Sequence, residues 1–199
     1  GLPHIHSLYS NALEPKLDPD HLGSEQPLTL MEQTQADWLG ITDHDLKLDR
    51  GRWGILERTA TQFAGPGKVL LLGIECTYFA ADDPKVNHVT LYGNRELVGI
   101  PNETSDWPGK ACRTLEDLYY WLTTARTDAV AVLAHPWLGE SHFRMMDPPV
   151  LGVGKERIVA AEAGGGNHPK TKFSLELGEF YWQSGLQRRL RLAPVFGHD

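Results

Sequence analysis

Short apolar runs rich in Val, Ile and Leu recur along the chain, separated by longer stretches whose apolar residues fall at helical spacing. The runs are 38–42 (WLGIT), 69–75 (VLLLGIE), 87–93 (NHVTLYG), 129–134 (AVAVLA), 158–162 (IVAAE) and 192–196 (LAPVF). Such runs predict buried strands, and their alternation with helical segments predicts an α/β fold with a parallel sheet of βα units. Helices are predicted over 27–37, 52–63, 114–125 and 173–190, the third opened by Thr114 with Asp117 three residues on, a variant capping box. Pro and Gly gather at 15–27, 99–109, 136–154 and 163–169. These are predicted to be long loops on one side of the sheet, of a length more often used for binding than for idle connection.

A chain of 199 residues suffices for one domain with a sizeable core and is short for two, so residues 1–199 are expected to form a single domain. Hydrophobic residues at 41% and charged residues at 23% are ordinary globular values, which removes the disordered and fibrous classes. The net charge of −7, with no basic stretch interleaved with aromatics, argues against a nucleic-acid partner. The densest basic stretch, Arg188, Arg189 and Arg191, closes a predicted helix, where cations suit the helix dipole. No apolar run approaches the roughly 20 residues of a membrane span, so no membrane partner is expected. A cytoplasmic location is the default expectation, although a signal removed before residue 1 would leave no trace. Cys76 and Cys112, without CxxC spacing, support neither a disulfide framework nor a thiolate metal site.

Candidate chemistry changes the picture more. His44 follows WLGIT, Glu75 ends VLLLGIE, His135 ends AVAVLAH, Glu162 ends IVAAE and Asp199 follows APVF. Functional groups collect at the carboxyl ends of parallel strands because all those ends open on one face. His4 and His6, alternate residues of a strand, share a face about 6.6 Å apart, so two imidazoles can meet one metal. A single HxH is weak evidence; five histidines with several acids at strand ends are much stronger.

These stretches, in order, resemble the polymerase and histidinol phosphatase (PHP) superfamily: HIHSLYS at 4–10, GITDHD at 40–45, GIE at 73–75 with NHVTLYG at 87–93, LAHP at 133–136, Glu162, and VFGHD at 195–199. The GIE to NHVTLYG spacing and the segment around Trp182 look most like the stand-alone branch that includes carbaryl-hydrolase-like proteins. The resemblance implies a distorted (β/α)7 barrel, similar to a TIM barrel, holding two or three divalent ions (Zn, Mn or Fe). It implies His4, His6 and Asp199 on a first metal, His88 and His135 on a second, Glu75 bridging them, and His44 facing a third. A hydroxide held between two metals is a nucleophile at neutral pH. The implied activity is a metal-dependent hydrolase, a phosphoesterase acting on a small-molecule ester. Glu75, Asp199 and His44 are its catalytic candidates. Hydrolysis of a carbamate, carboxylic ester or amide is the alternative, and an inactive metal-stabilised binding module is the alternative of another class.

Two departures bear on this. Where the family often has an acid after the HxH, the chain reads Tyr9, Ser10, Asn11, Ala12, and an amide is a poorer ligand for a hard cation. The family's last histidine, two residues beyond the acid, has no counterpart after Asp199, so the natural protein is expected to continue, unless His198 takes that place. Asp43 is expected to orient a ligand ring, and Glu162 to act as ligand or hydrogen-bonding partner. His198, His168 and Arg144, with His142, Lys170 and Lys172, are candidates for substrate contact, each weighed against simple exposure. The glycine run at 164–166 does not match a nucleotide P-loop. Trp38, Trp53, Trp121 and Trp182 are expected in the core.

Overall fold

The computed structural model describes residues 2–7, 9–10, 31–33, 35–62, 67–80, 83–99, 110–124, 128–135, 155–165, 182–184, 186–187 and 190–197. Seven strands make one sheet: β1 (Leu2–Ile5), β2 (Trp38–Ile41), β3 (Val69–Ala80), β4 (Asp83–Tyr92), β7 (Val130–Leu133), β8 (Ile158–Gly165) and β9 (Ala193–Gly197), neighbours in that order. A small parallel pair, β5 (Val98–Gly99) and β6 (Lys110–Ala111), stands apart. The edge strands β1 and β9 touch, so the sheet curls back on its own start. The architecture is mixed α/β with a curled, half-barrel sheet.

The expectation of a uniformly parallel sheet is corrected in the middle. β3 runs on past Glu75 to Ala80 and turns into β4, which is antiparallel to both β3 and β7. The physical reason is local. Residues 76–79 (CTYF) continue the β-branched and aromatic content of the strand, and β4 begins at Asp83, opposite Ala80, which leaves no length for a crossover helix. Every other neighbouring pair is parallel.

Helix α1 (Arg50–Gln62) starts two residues before the predicted position because Asp49 caps it, accepting from the Arg52 amide at 2.9 Å. It buries Trp53, Leu56 and Thr59, one stripe at helical spacing. Helix α2 (Leu115–Thr124) has the expected capping box: the Asp117 amide donates to Thr114 Oγ1 at 3.1 Å, and the Thr114 amide to Asp117 Oδ2 at 3.3 Å. The helix predicted to reach residue 37 stops sooner. Gln35 takes φ 52°, while Ala36 N bonds Met31 O and Gln35 N bonds Glu32 O, the paired bonds of a Schellman ending. Of the stretch 173–190, the described residues 182–184 and 186–187 are helical. Trp53 and Trp121 are buried, whereas Trp38 and Trp182 are half-buried. No helix among the described residues is long and apolar enough to cross a membrane.

Alternation along the strands divides the apolar residues between two faces. Leu39, Ile41, Ile74, Leu91 and Leu133 join Trp53, Leu56, Leu118 and Leu122 in the main core. A smaller cluster, Tyr92, Val132 and Ala160, gathers on the other side. Gly40 and Gly73 make room for Tyr92. A Cβ on Gly73 would lie 2.5 Å from Leu91 O and 2.8 Å from the Tyr92 ring, and one on Gly40 2.5 Å from Pro3 O.

Gly73→Ala is therefore expected to destabilise the fold by about 1–3 kcal/mol, as overpacking does. Urea or thermal denaturation checks this, and a change under about 0.5 kcal/mol would contradict the close packing of β3 on Tyr92.

Candidate metal centre

Glu75 lies in β3 with its side chain fully buried. Five histidines from four segments surround it. His4 lies in β1 and His6 just beyond it; His44 follows β2, His88 is in β4 and His135 follows β7. Four of these groups occupy carboxyl ends of parallel strands. His88 reaches the same end from the middle of its strand because β4 runs the opposite way. In the β3–β4 register His88 opposes Thr77, two residues from Glu75, so both side chains share a face.

The imidazoles close into a ring. Successive centroids are 5.0 Å apart for His4–His6, 4.7 Å for His6–His44, 4.9 Å for His44–His88, 5.1 Å for His88–His135 and 5.9 Å for His135–His4. Within it, Glu75 Oε1 is 2.9 Å from His88 Nδ1, 3.0 Å from His135 Nε2 and 3.5 Å from His4 Nε2. Oε2 is 2.8 Å from His44 Nδ1 and 3.3 Å from His6 Nε2. Two sets, His4–His6–Glu75 and His44–Glu75–His88, each bring three ligand atoms within 4.8 Å of one another and share the carboxylate. His135 adjoins both sets, 3.2 Å from His88 Nδ1.

The donor set fits divalent ions. Imidazole and carboxylate ligands at about 2.0–2.2 Å from one tetrahedral ion lie roughly 3.3 Å from each other, close to the separations found here. His4 Nε2 and Glu75 Oε2 are buried polar atoms with no hydrogen-bond partner, although each faces other ligand atoms. A buried polar atom without a partner is costly, and coordination is a way to satisfy it.

The charge balance follows from burial and proximity. Burial opposes the charge of Glu75, but His4, His88 and His44 overcome it and hold the carboxyl well below its usual range. Burial likewise opposes a charge on His4, yet Glu162 and Glu75 raise it well above the ordinary histidine value. His135 is raised against its burial by the hydrogen bond to Glu75. His88 is lowered, because burial together with the charges of His135 and His44 outweighs Glu75. Protons and metal ions compete for the same lone pairs of such a cluster.

A second layer holds the ring. Glu162 in β8 is hydrogen-bonded through both oxygens: Oε1 meets His4 Nδ1 at 2.7 Å, and Oε2 accepts from the His135 backbone amide at 2.7 Å. It turns His4 Nε2 towards Glu75 and ties β7 to β8. His135 itself has φ 27°, a left-handed conformation costly for a non-glycine residue and of the kind that collects at functional sites. Asp43 accepts from both the amide and the hydroxyl of Ser7, and its Oδ1 is 3.9 Å from His6 Nδ1. Ser10 Oγ accepts from the His44 amide at 2.7 Å. Ser7, Ser10 and Asp45 were not singled out from the sequence. Their only signal is membership of the stretches HIHSLYS and GITDHD. Asn11, Arg144, His168, His198 and Asp199 lie outside the described residues.

No protein-family model and no curated protein matches the chain. Solved structures match it at the level of fold, and they include proteins named as hydrolases. An amidohydrolase from Chromobacterium violaceum, with bound sulfate and no metal, aligns with 100% of this chain and 86% of its own at TM-score 0.62 and 17% identity. PsfC from Pseudomonas syringae PB-5123 aligns with 100% of this chain and 75% of its own at TM-score 0.59 and 17% identity. A candidate metal-dependent phosphoesterase from Bifidobacterium adolescentis aligns with 96% and 85% at TM-score 0.54 and 14% identity. At these identities the likeness establishes the fold.

Replacing Glu162 by Gln leaves one good acceptor for two donors. Glu162→Gln is expected to weaken metal binding about 10–100-fold while the protein stays folded. Titration with Zn2+ and circular dichroism check this; unchanged affinity would remove Glu162 from the supporting layer.

Proposed function

We propose that the chain is a metal-dependent hydrolase of the PHP type, acting on a phosphate ester through two divalent ions. The observation that carries this reading is the Glu75 carboxylate shared by two three-ligand sets within a ring of five histidines. His4 and His6 would hold one ion, with Asp199 added by the resemblance, and His44 and His88 the other, with His135 beside it. When bound, such ions make water a nucleophile at neutral pH and offset the negative charge that develops on the attacked group.

The chain's own residues support this chemistry in several ways. Glu162 fixes the ring orientation of His4, so that Nε2 is presented to the centre. Burial of His4, His6, Glu75 and His135 keeps bulk water from competing for them. The Ser7 hydroxyl is engaged with Asp43 and that of Ser10 with the His44 amide, and the Cys76 thiol donates to Val98 O. A serine or cysteine nucleophile is therefore not the natural reading of this site.

A carbonyl substrate is the second reading, a carbamate, carboxylic ester or amide. The fold likeness to a protein named an amidohydrolase favours it. The discriminating experiment strips the protein with a chelator, reloads it with Mn2+, Zn2+ or Fe2+, and assays phosphate monoesters beside carbamates, carboxylic esters and amides. Metal retained with no turnover on any of them would favour an inactive binding module.

On the leading reading, the protein purified without chelator contains about two ions per chain. Glu75→Gln costs more activity than Asp43→Asn, because a shared carboxylate serves both ions whereas Asp43 supports one ligand through its strand. Less than one ion per chain, or equal activity in the two variants, would overturn it.

A further inference from the structure

The parallel ladder between β2 and β3 is carried past the strand ends by an unusual substitution of side chain for backbone. Glu75 N donates to Asp43 O at 3.0 Å, and His44 faces Glu75 as an isolated parallel bridge. The next rung would take Thr77 N to Asp45 O. The chain instead turns into a 3-10 segment, Asp45–Lys47, in which Asp45 O accepts from Leu48 N at 3.1 Å. The Asp45 carboxylate fills the missing rung. Its Oδ2 accepts from Thr77 N at 3.0 Å while Oδ1 accepts from Leu46 N at 2.8 Å, and the residue is fully buried.

Gly99 completes the arrangement. It has φ +133°, and a Cβ there would overlap Asp45 Oδ2 and come within 2.7 Å of Asp45 Cβ and Cγ. Its carbonyl accepts from Cys112 N at 2.8 Å, so β5 is itself anchored. A carboxylate thus enters a slot whose far wall must be glycine, and the loop bearing His44 is clamped between two backbone rungs of β3.

We propose that Asp45, in the slot made by Gly99, is a positioning residue that holds His44 against Glu75, and so sets the affinity of the His44–Glu75–His88 set for its metal ion. The inference rests on the two-metal reading. His44 is the ligand of that set with most solvent access, its side chain 27% exposed. On the near side of His44 the loop is held by the Glu75–Asp43 bond and the Ser10 contact, and beyond it the Lys47 N–His44 O and Leu48 N–Asp45 O bonds stay within the loop, whereas the Thr77–Asp45 rung ties its far side to β3. The His4–His6 side is held by β1, Asp43 and Glu162, none of which touches Asp45 through these bonds.

The test loads metal-free protein with Mn2+ and reads stoichiometry, stepwise affinity and the electron paramagnetic resonance spectrum. Unmodified protein is expected to take two ions and show an exchange-coupled signal. Asp45→Asn keeps the shape but points an amide N–H at one of two N–H donors. It is expected to bind the second ion about tenfold or more weakly, with the first little changed, and to show the six-line signal of an isolated Mn2+. Gly99→Ala, which displaces the carboxylate without altering it, is expected to give the same pattern. If both folded variants bind two ions as tightly as the parent and keep the coupled signal, a lowered melting temperature notwithstanding, the inference is overturned. Fewer than two ions in the unmodified protein would overturn the two-metal reading itself, and this inference with it.

Discussion

A carboxylate taken wholly out of water is tolerated only where opposite charge or hydrogen-bond donors surround it, and Glu75 meets that condition with five imidazoles. Much of the architecture serves this contact. No single helix or strand can place five imidazoles around one carboxylate, because neighbours on one element lie along a line. The ring needs strand ends from both sides of β3, hence a sheet that curls until β1 and β9 touch. The antiparallel β4 adds a histidine directly beside Glu75 that a parallel neighbour would have offered only at its own carboxyl end.

The supporting layer repeats one device. Glu162, Asp43 and Asp45 are buried acids that accept backbone N–H groups: from His135, from Ser7, and from Leu46 and Thr77. Each amide belongs to a segment that carries or adjoins a ring member. Charge-assisted bonds of this kind are stronger than neutral ones, and here they join one strand end to the next. The acids therefore fix ligand positions through the main chain, which costs less mobility than holding long side chains individually.

How much of this could be read in the sequence depends on where the signal lay. His44 and His135 were announced by apolar runs that stop just before them, and Glu75 and Glu162 by being the first acids to break such runs, although both lie within their strands. The spacing of His4 and His6 pointed to a shared face. β4 was legible as a strand but not as an antiparallel one: 69–75 was read as ending at Glu75, although CTYF carries the strand on to Ala80. For Glu162 the sequence left ligand and support open, because both roles suit an acid that breaks an apolar run; its 2.7 Å bonds to His4 and the His135 amide depend on how β8 lies beside β7, which no residue pattern gives. Asp45 was hidden for another reason. Its function depends on the 3-10 turn that diverts its own carbonyl, a feature of backbone path with no residue pattern behind it.

The ring is not equally open around its circumference, and that asymmetry bears on the chemistry. His4, His6, Glu75 and His135 are at most 5% exposed, while the side chains of His88 and His44 are 18% and 27% exposed. On the metal-dependent reading, a substrate approaches over the His44–His88 edge and meets the second metal set first. The set buried against Glu162 is then the more protected of the two, suited to a tightly held ion, and the exposed set is where ligand exchange takes place. A phosphate ester and a carbonyl compound would both have to present their attacked atom along this edge. The difference between them must come from groups rimming it, and so the inner ring is compatible with either chemistry while its surroundings select one.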